Sequence, residues 1–274
     1  MLQKYFITDP DSDNKPDHNL RRFIPNMITI GSMVCGVTSI QMATAGRWND
    51  AVLLILIATI LDTMDGAIAR LLNATSKFGA ELDSLADFLS FGVAPATVMY
   101  LWILNDAGRV GWIAALVFVI CSALRLARFN VQTEDTAKKP EWARYFFSGV
   151  PAPAGSGLIL LPIIVYLQID MDLSEFNYAS PIIGLWTLVI AGLMVSNIPT
   201  FSSKQVRLPG GLIPSLAIAG LFIAMLVHAP WITLTAFGVL YASLIPVSMR
   251  VYAQREKRAK AGELHAVKKT KKTA

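Results

Sequence analysis

Two cysteines and three histidines among 274 residues leave little room for several chemistries. Cys35 and Cys121 fall in separate apolar segments and make neither a disulfide framework nor a zinc site. His18, His228 and His265 are scattered and form no ligand cluster. Charge is also scarce: 16% of residues are charged against 54% hydrophobic, and the mean hydropathy of +0.51 is too apolar for an ordinary soluble domain. The net charge of +5 does not point to nucleic acid, because no basic domain with interleaved aromatics exists. No basic region precedes a short apolar core at the start, so no cleaved signal peptide is expected.

What the chain has is apolar runs of about 20 residues, each long enough to span a bilayer. They lie near Met27–Ala45, Ala51–Leu72, Phe78–Leu104, Val110–Ala127, Gly149–Leu167, Ala179–Asn197, Leu212–His228 and Trp231–Val251. The expected fold is an all-α polytopic membrane protein with about eight transmembrane helices. Residues 1–20 are expected as a flexible cytoplasmic arm, 21–251 as one membrane domain, and 252–274 as a basic, disordered cytoplasmic tail. The piece N-L-R-R-F-I at Asn19–Ile24 reads as a short amphipathic juxtamembrane helix or as a plain positive flank. Pro25 and Asn26 are expected to open the first span, where a missing N–H costs nothing. With both termini inside, the external loops hold two of the 24 Lys and Arg residues, Arg47 and Arg109. That bias turns the 62–87 region toward the cytoplasm.

That region reads D-T-M-D-G-A-I-A-R-L-L-N-A-T-S-K-F-G-A-E-L-D-S-L-A-D. At about 100° per residue, Asp62, Asp65, Gly66 and Ala69 share one helix face with Arg70 at its edge. Gly79, Asp83 and Asp87 share a face on the next segment. If Asn73–Lys77 turns the chain back, Asp65 comes level with Asp83 and Asp62 with Asp87. A charge at mid-membrane costs about 2.5–3.5 kcal/mol on the insertion scale, so four facing carboxylates need counter-charge. Hard divalent cations such as Mg²⁺ or Mn²⁺ suit them, and four Asp have room for two ions. Gly66, Ala69 and Gly79 leave space for a ligand near the backbone, and Arg70 reaches a phosphate oxygen. Two ions, four Asp, a diphosphate diester and Arg70 sum to roughly −1, so a second cationic group is expected nearby. Asp residues paired for structure, or lining the ion path of a transporter, are the competing readings. No second copy of the Asp pattern indicates the repeated halves of a transporter.

The pattern D-x-x-D-G-x-x-A-R, eight residues, then G-x-x-x-D-x-x-x-D resembles the signature of the CDP-alcohol phosphatidyltransferase family. Asp62, Asp65, Gly66, Ala69, Arg70, Gly79, Asp83 and Asp87 fill every defining position. The resemblance implies transfer of a phosphatidyl group from a CDP-linked lipid to an alcohol, with release of CMP. It implies metal binding by Asp62, Asp65, Asp83 and Asp87, with Asp87 also accepting the proton of the attacking hydroxyl. Gly66, Ala69, Arg70, Ser76, Gly79, Asn26 and Thr29 become candidates to hold the CDP-lipid, although a turn serine and a helix cap explain Ser76 and Asn26 as well. It also implies a homodimer in a bacterial inner membrane.

Further segments are similar to the integral-membrane, serine-using bacterial branch of this family: S-F-G-V-A-P-A at Ser90–Ala96, A-L-R-L-A-R-F-N at Ala123–Asn130, S-G-V-P-A-P-A at Ser148–Ala154, and L-M-V-S-N-I-P-T-F-S-S-K at Leu193–Lys204. The substrates implied are CDP-diacylglycerol and L-serine. The serine carboxylate wants a cation, and Arg125, Arg128, Lys204 and Arg207 are the candidates; positive-inside anchoring explains each of them too. Glycerol 3-phosphate, inositol or inositol phosphate would want cations equally.

Overall fold

The computed structural model describes residues 16–134, 146–169, 178–201 and 212–273. Ten helices dominate these residues: α1 Pro16–Thr44, α2 Trp48–Leu71, α3 Lys77–Asp87, α4 Ala94–Trp102, α5 Arg109–Glu134, α6 Ala152–Ile159, α7 Leu161–Ile169, α8 Ala179–Val195, α9 Leu212–His228 and α10 Pro230–Thr273. One antiparallel ribbon pairs β1, Phe146–Ser148, with β2, Pro199–Phe201.

Five helical stretches are long and apolar enough to cross a membrane: Phe23–Thr44, Trp48–Leu71, Lys77–Trp102, Arg109–Val131 and Pro230–Lys257. The pair α6–α7, bent by 42°, makes a sixth if counted as one span. The chain is therefore an all-α integral membrane protein, but the expected count of eight is not reached among the described residues. Length is the reason. Helix α8 has 17 residues and 17 of α9 are described, about 25 Å at 1.5 Å per residue, against a core of about 30 Å. The bend has a local cause as well. Pro162 cannot donate to the Leu158 carbonyl one turn back, and the Trp186 indole N–H donates to that carbonyl at 2.8 Å instead.

Two expectations at the chain ends need correction or comment. Pro25 does not open the first span. It lies inside α1, which starts at Pro16 and runs unbroken through Asn19–Ile24 into the apolar stretch, so no separate amphipathic helix precedes the span. At the other end, the residues read as a disordered tail continue α10 as helix to Thr273.

Helix packing relies on small and hydroxyl residues, as expected where lipid removes the hydrophobic drive between helices. Helix α1 packs along α2, and the Ser32 hydroxyl donates to the Ala58 carbonyl across that seam at 2.9 Å. The third span is not a single α-helix: Phe88–Val93, directly after Asp87, forms a π-helical turn, a local irregularity often found at functional sites. This turn sits against α1 so closely that a methyl on Gly36 would come within 2.9 Å of the Ser90 Cα. The core continues through Phe91, Met99, Leu104, Phe118, Ile163 and Met194, all fully buried.

Candidate active site

The hairpin joining α2 to α3 builds the site. Helix α2 ends with Asn73 in the left-handed region at φ 50°. There the Ala74 N–H reaches the Ala69 carbonyl at 2.9 Å and the Asn73 N–H the Arg70 carbonyl at 3.3 Å. This double closure is a Schellman stop, with asparagine in the place glycine usually takes. Ser76 then caps α3, its Oγ accepting from the Gly79 N–H at 3.0 Å. The turn expected over Asn73–Lys77 is thus present and reverses the chain.

The reversal brings carboxylates from both helices together. Oxygen atoms of Asp62, Asp83 and Asp87 lie within 4.8 Å of one another. Ionised carboxylates do not rest so close without a cation or a shared proton between them. Asp87 Oδ1 is buried and has no hydrogen-bond partner among the described residues, a costly condition for an acceptor. A group of hard oxygen donors with an unsatisfied member fits a divalent cation. Asp65 lies beside this group. It is 4% exposed and accepts a hydrogen bond from the Thr29 hydroxyl at 2.6 Å.

Asp65 and Asp83 also line a cavity of about 180 Å³ between α1, α2 and α3. All seven residues read as CDP-lipid candidates line it: Asn26, Thr29, Gly66, Ala69, Arg70, Ser76 and Gly79. Asn26 Oδ1 and Ser76 Oγ converge on Gly79, where an added methyl would come 3.1 Å from each. Arg70 folds back over Gly66, with Nη1 3.5 Å from where a β-carbon would stand. Pro25, Thr75 and Ala80 line the same space and were not picked out from sequence. Thr75 and Ala80 flank chosen residues, so their position in the hairpin is the signal that would have found them.

The four candidate cations separate. Arg125 is 8% exposed and its Nε donates to the Val150 carbonyl at 2.7 Å, so its guanidinium is held inside the bundle with further donors to spare. Arg128 is spent on backbone: Nη1 donates to the Val195 carbonyl at 2.7 Å and Nη2 to the carbonyls of Ser148 and Ser196 at 3.0 and 3.1 Å. Asn197 Oδ1 takes a further bond at 3.0 Å. Lys204 and Arg207 lie outside the described residues. Sequence reasoning had no means of finding Tyr241, from distant α10, whose hydroxyl is buried with no hydrogen-bond partner among the described residues.

The structure is an apolar helical bundle with an aspartate hairpin beside a small cavity, and comparison gives the class of membrane transferase to which it belongs. Residues 22–195 match the model of the CDP-alcohol phosphatidyltransferase family, and 212–246 match a second model, CDP-alcohol phosphatidyltransferase 2. The chain belongs to the CDP-alcohol phosphatidyltransferase family. Among named proteins it is 36% identical over 231 residues to a CDP-diacylglycerol–serine O-phosphatidyltransferase of Mycobacterium tuberculosis, covering 84% of this chain and 79% of that one. Proteins of the same name from Helicobacter pylori and Bacillus subtilis are 39% and 37% identical, covering 67% and 64% of this chain and 73% and 88% of their own.

Proposed function

We propose that the protein transfers the phosphatidyl group of CDP-diacylglycerol to the hydroxyl of L-serine, giving phosphatidylserine and CMP. The observation that carries this reading is the grouping of Asp62, Asp83 and Asp87 beside the cavity shared by Asp65 and Asp83. The names of the relatives support serine as the acceptor.

Asp62, Asp65, Asp83 and Asp87 hold two divalent cations, Mg²⁺ or Mn²⁺. When bound, such ions polarise the diphosphate and stabilise charge on the departing CMP. The cytidine nucleotide lies in the hairpin cavity, where Gly66, Ala69 and Gly79 admit it against backbone. Asn26 and Ser76 offer it polar contacts, and Thr29 orients Asp65. Arg70 holds a phosphate oxygen. Asp87 takes the proton of the serine hydroxyl as that oxygen attacks phosphorus, so a carboxylate near cations acts here by position more than by strength. Of the four cations read as serine contacts, Arg125 stands at the acceptor carboxylate, while Arg128 supports the wall behind it. The hairpin opens to the cytoplasmic side of a bacterial inner membrane, with both termini on that side, as the Lys and Arg distribution favours.

The test offers purified protein CDP-diacylglycerol, Mn²⁺ or Mg²⁺, and labelled serine, with glycerol 3-phosphate, inositol and inositol phosphate in parallel. Serine alone is expected to yield labelled lipid in step with CMP. Labelled product from another alcohol, with none from serine, would overturn the acceptor and keep the chemistry.

A further inference from the structure

A second cavity, about 170 Å³ and apolar, lies between α2, the bent pair α6–α7 and α10. On α2 it is lined by Val52, Ile55, Leu56 and Thr59. Continued at helical spacing, that stripe reaches Asp62 and Gly66 on the same side of the helix. Its length from Val52 to Thr59 is about 10 Å. On α10 the lining ends at Tyr241. On α2 the groove therefore stops one helical turn short of Asp62.

Its third wall carries a glycine that packing does not explain. Gly155 and Gly238 are closely packed, since a methyl on either would come within 2.8 Å of the Met194 or Leu161 side chain. Gly157 lines the groove, and a methyl there would meet nothing within 4 Å. Beside it, Ser156 is 1% exposed and lines the groove. Its hydroxyl has no hydrogen-bond partner among the described residues. A buried hydroxyl in an apolar groove is suited to the ester carbonyl of a fatty acyl chain, which accepts but cannot donate.

We propose that this groove takes one acyl chain of the lipid donor and that Gly157 sets which chains are accepted. The proposal rests on the reading above that the donor is a CDP-linked diacyl lipid. Its continuity with Asp62 means that a chain seated there tethers the diphosphate at the carboxylates. A side chain at position 157 occupies that space and displaces the chain, with little effect on a donor whose tails are too short to reach it.

The experiment compares kcat/KM for dioleoyl and dihexanoyl CDP-diacylglycerol, with full-length protein and saturating cation and serine. The variants are Gly157→Phe and, on the opposite wall, Leu56→Trp. The ratio of long- to short-chain donor is expected to fall about tenfold or more in both, the scale on which apolar pockets discriminate. An unchanged ratio overturns the proposal while leaving the activity standing. If Gly157→Phe does not fold, Gly157→Val and Leu56→Trp decide by the same ratio. Wild-type protein that releases CMP from neither donor removes the underlying reading, and the proposal falls with it.

Discussion

Two charged groups of this bundle are treated in opposite ways. Arg128 gives its guanidinium to the carbonyls that end α8 and border β1. Its neighbour Gly149 sits at φ 78°, and a methyl there would meet the Met194 carbonyl at 2.5 Å, so both the backbone and the packing ask for glycine. Asn197, Ser196 and Thr200 in that corner also hydrogen-bond locally. In the α2–α3 hairpin three carboxylates are pressed together and one buried oxygen has no partner. Protein interiors satisfy their polar groups, so a place where the fold does not do so is where a ligand belongs. The contrast separates a charge that holds the structure from charges held ready for substrate.

The sharpest way to break the contrast is to neutralise the hairpin. Asp87→Asn should lower kcat by about a thousandfold or more with the thermal unfolding temperature kept or raised, because like-charge repulsion is relieved. Loss of folding in place of activity would make Asp87 a structural residue like Arg128. Chelation of divalent cations should abolish CMP release and re-addition restore it, monitored on one sample. Arg128→Ala should do the reverse of Asp87→Asn. With several carbonyls left unpaired, at about 1–3 kcal/mol for each buried one, stability in detergent should drop before catalysis in the surviving folded fraction does. Thr29→Val removes the 2.6 Å hydrogen bond to Asp65. It should raise the Mn²⁺ concentration for half-maximal activity about tenfold while leaving kcat nearer to normal, as for other residues that orient metal ligands. The smallest effect belongs to Trp186→Phe, which frees the Leu158 carbonyl at the Pro162 bend. A loss of about 1 kcal/mol in stability is expected, with activity unchanged.

The hairpin was legible in the sequence because its logic is local. Helical spacing puts Asp62 and Asp65 on one face and Asp83 and Asp87 on another, and Asn73 tolerates the left-handed stop between them. The cation demanded by the charge count was legible only as a need. Four residues met it on paper, and only tertiary contacts distinguish Arg125, buried and hydrogen-bonded to the Val150 carbonyl, from Arg128, tied to α8. Span number was less legible, because hydropathy does not register that Pro162 breaks one apolar run or that α8 stops at 17 residues. Pro25 misled for a related reason: proline favours a helix start, yet α1 carries it internally. The groove beside Gly157 was invisible, since it is assembled from three parts of the chain at least 70 residues apart.

The central claim is that the hairpin carboxylates form a divalent-cation centre. Mn²⁺ titration of the purified protein, followed by the loss of the free-ion paramagnetic resonance signal, tests it most directly. The account predicts two ions bound per chain in the wild type, and fewer in Asp83→Asn, whose carboxylate belongs to both the cluster and the cavity. Equal Mn²⁺ binding by the wild type and by Asp83→Asn would contradict it.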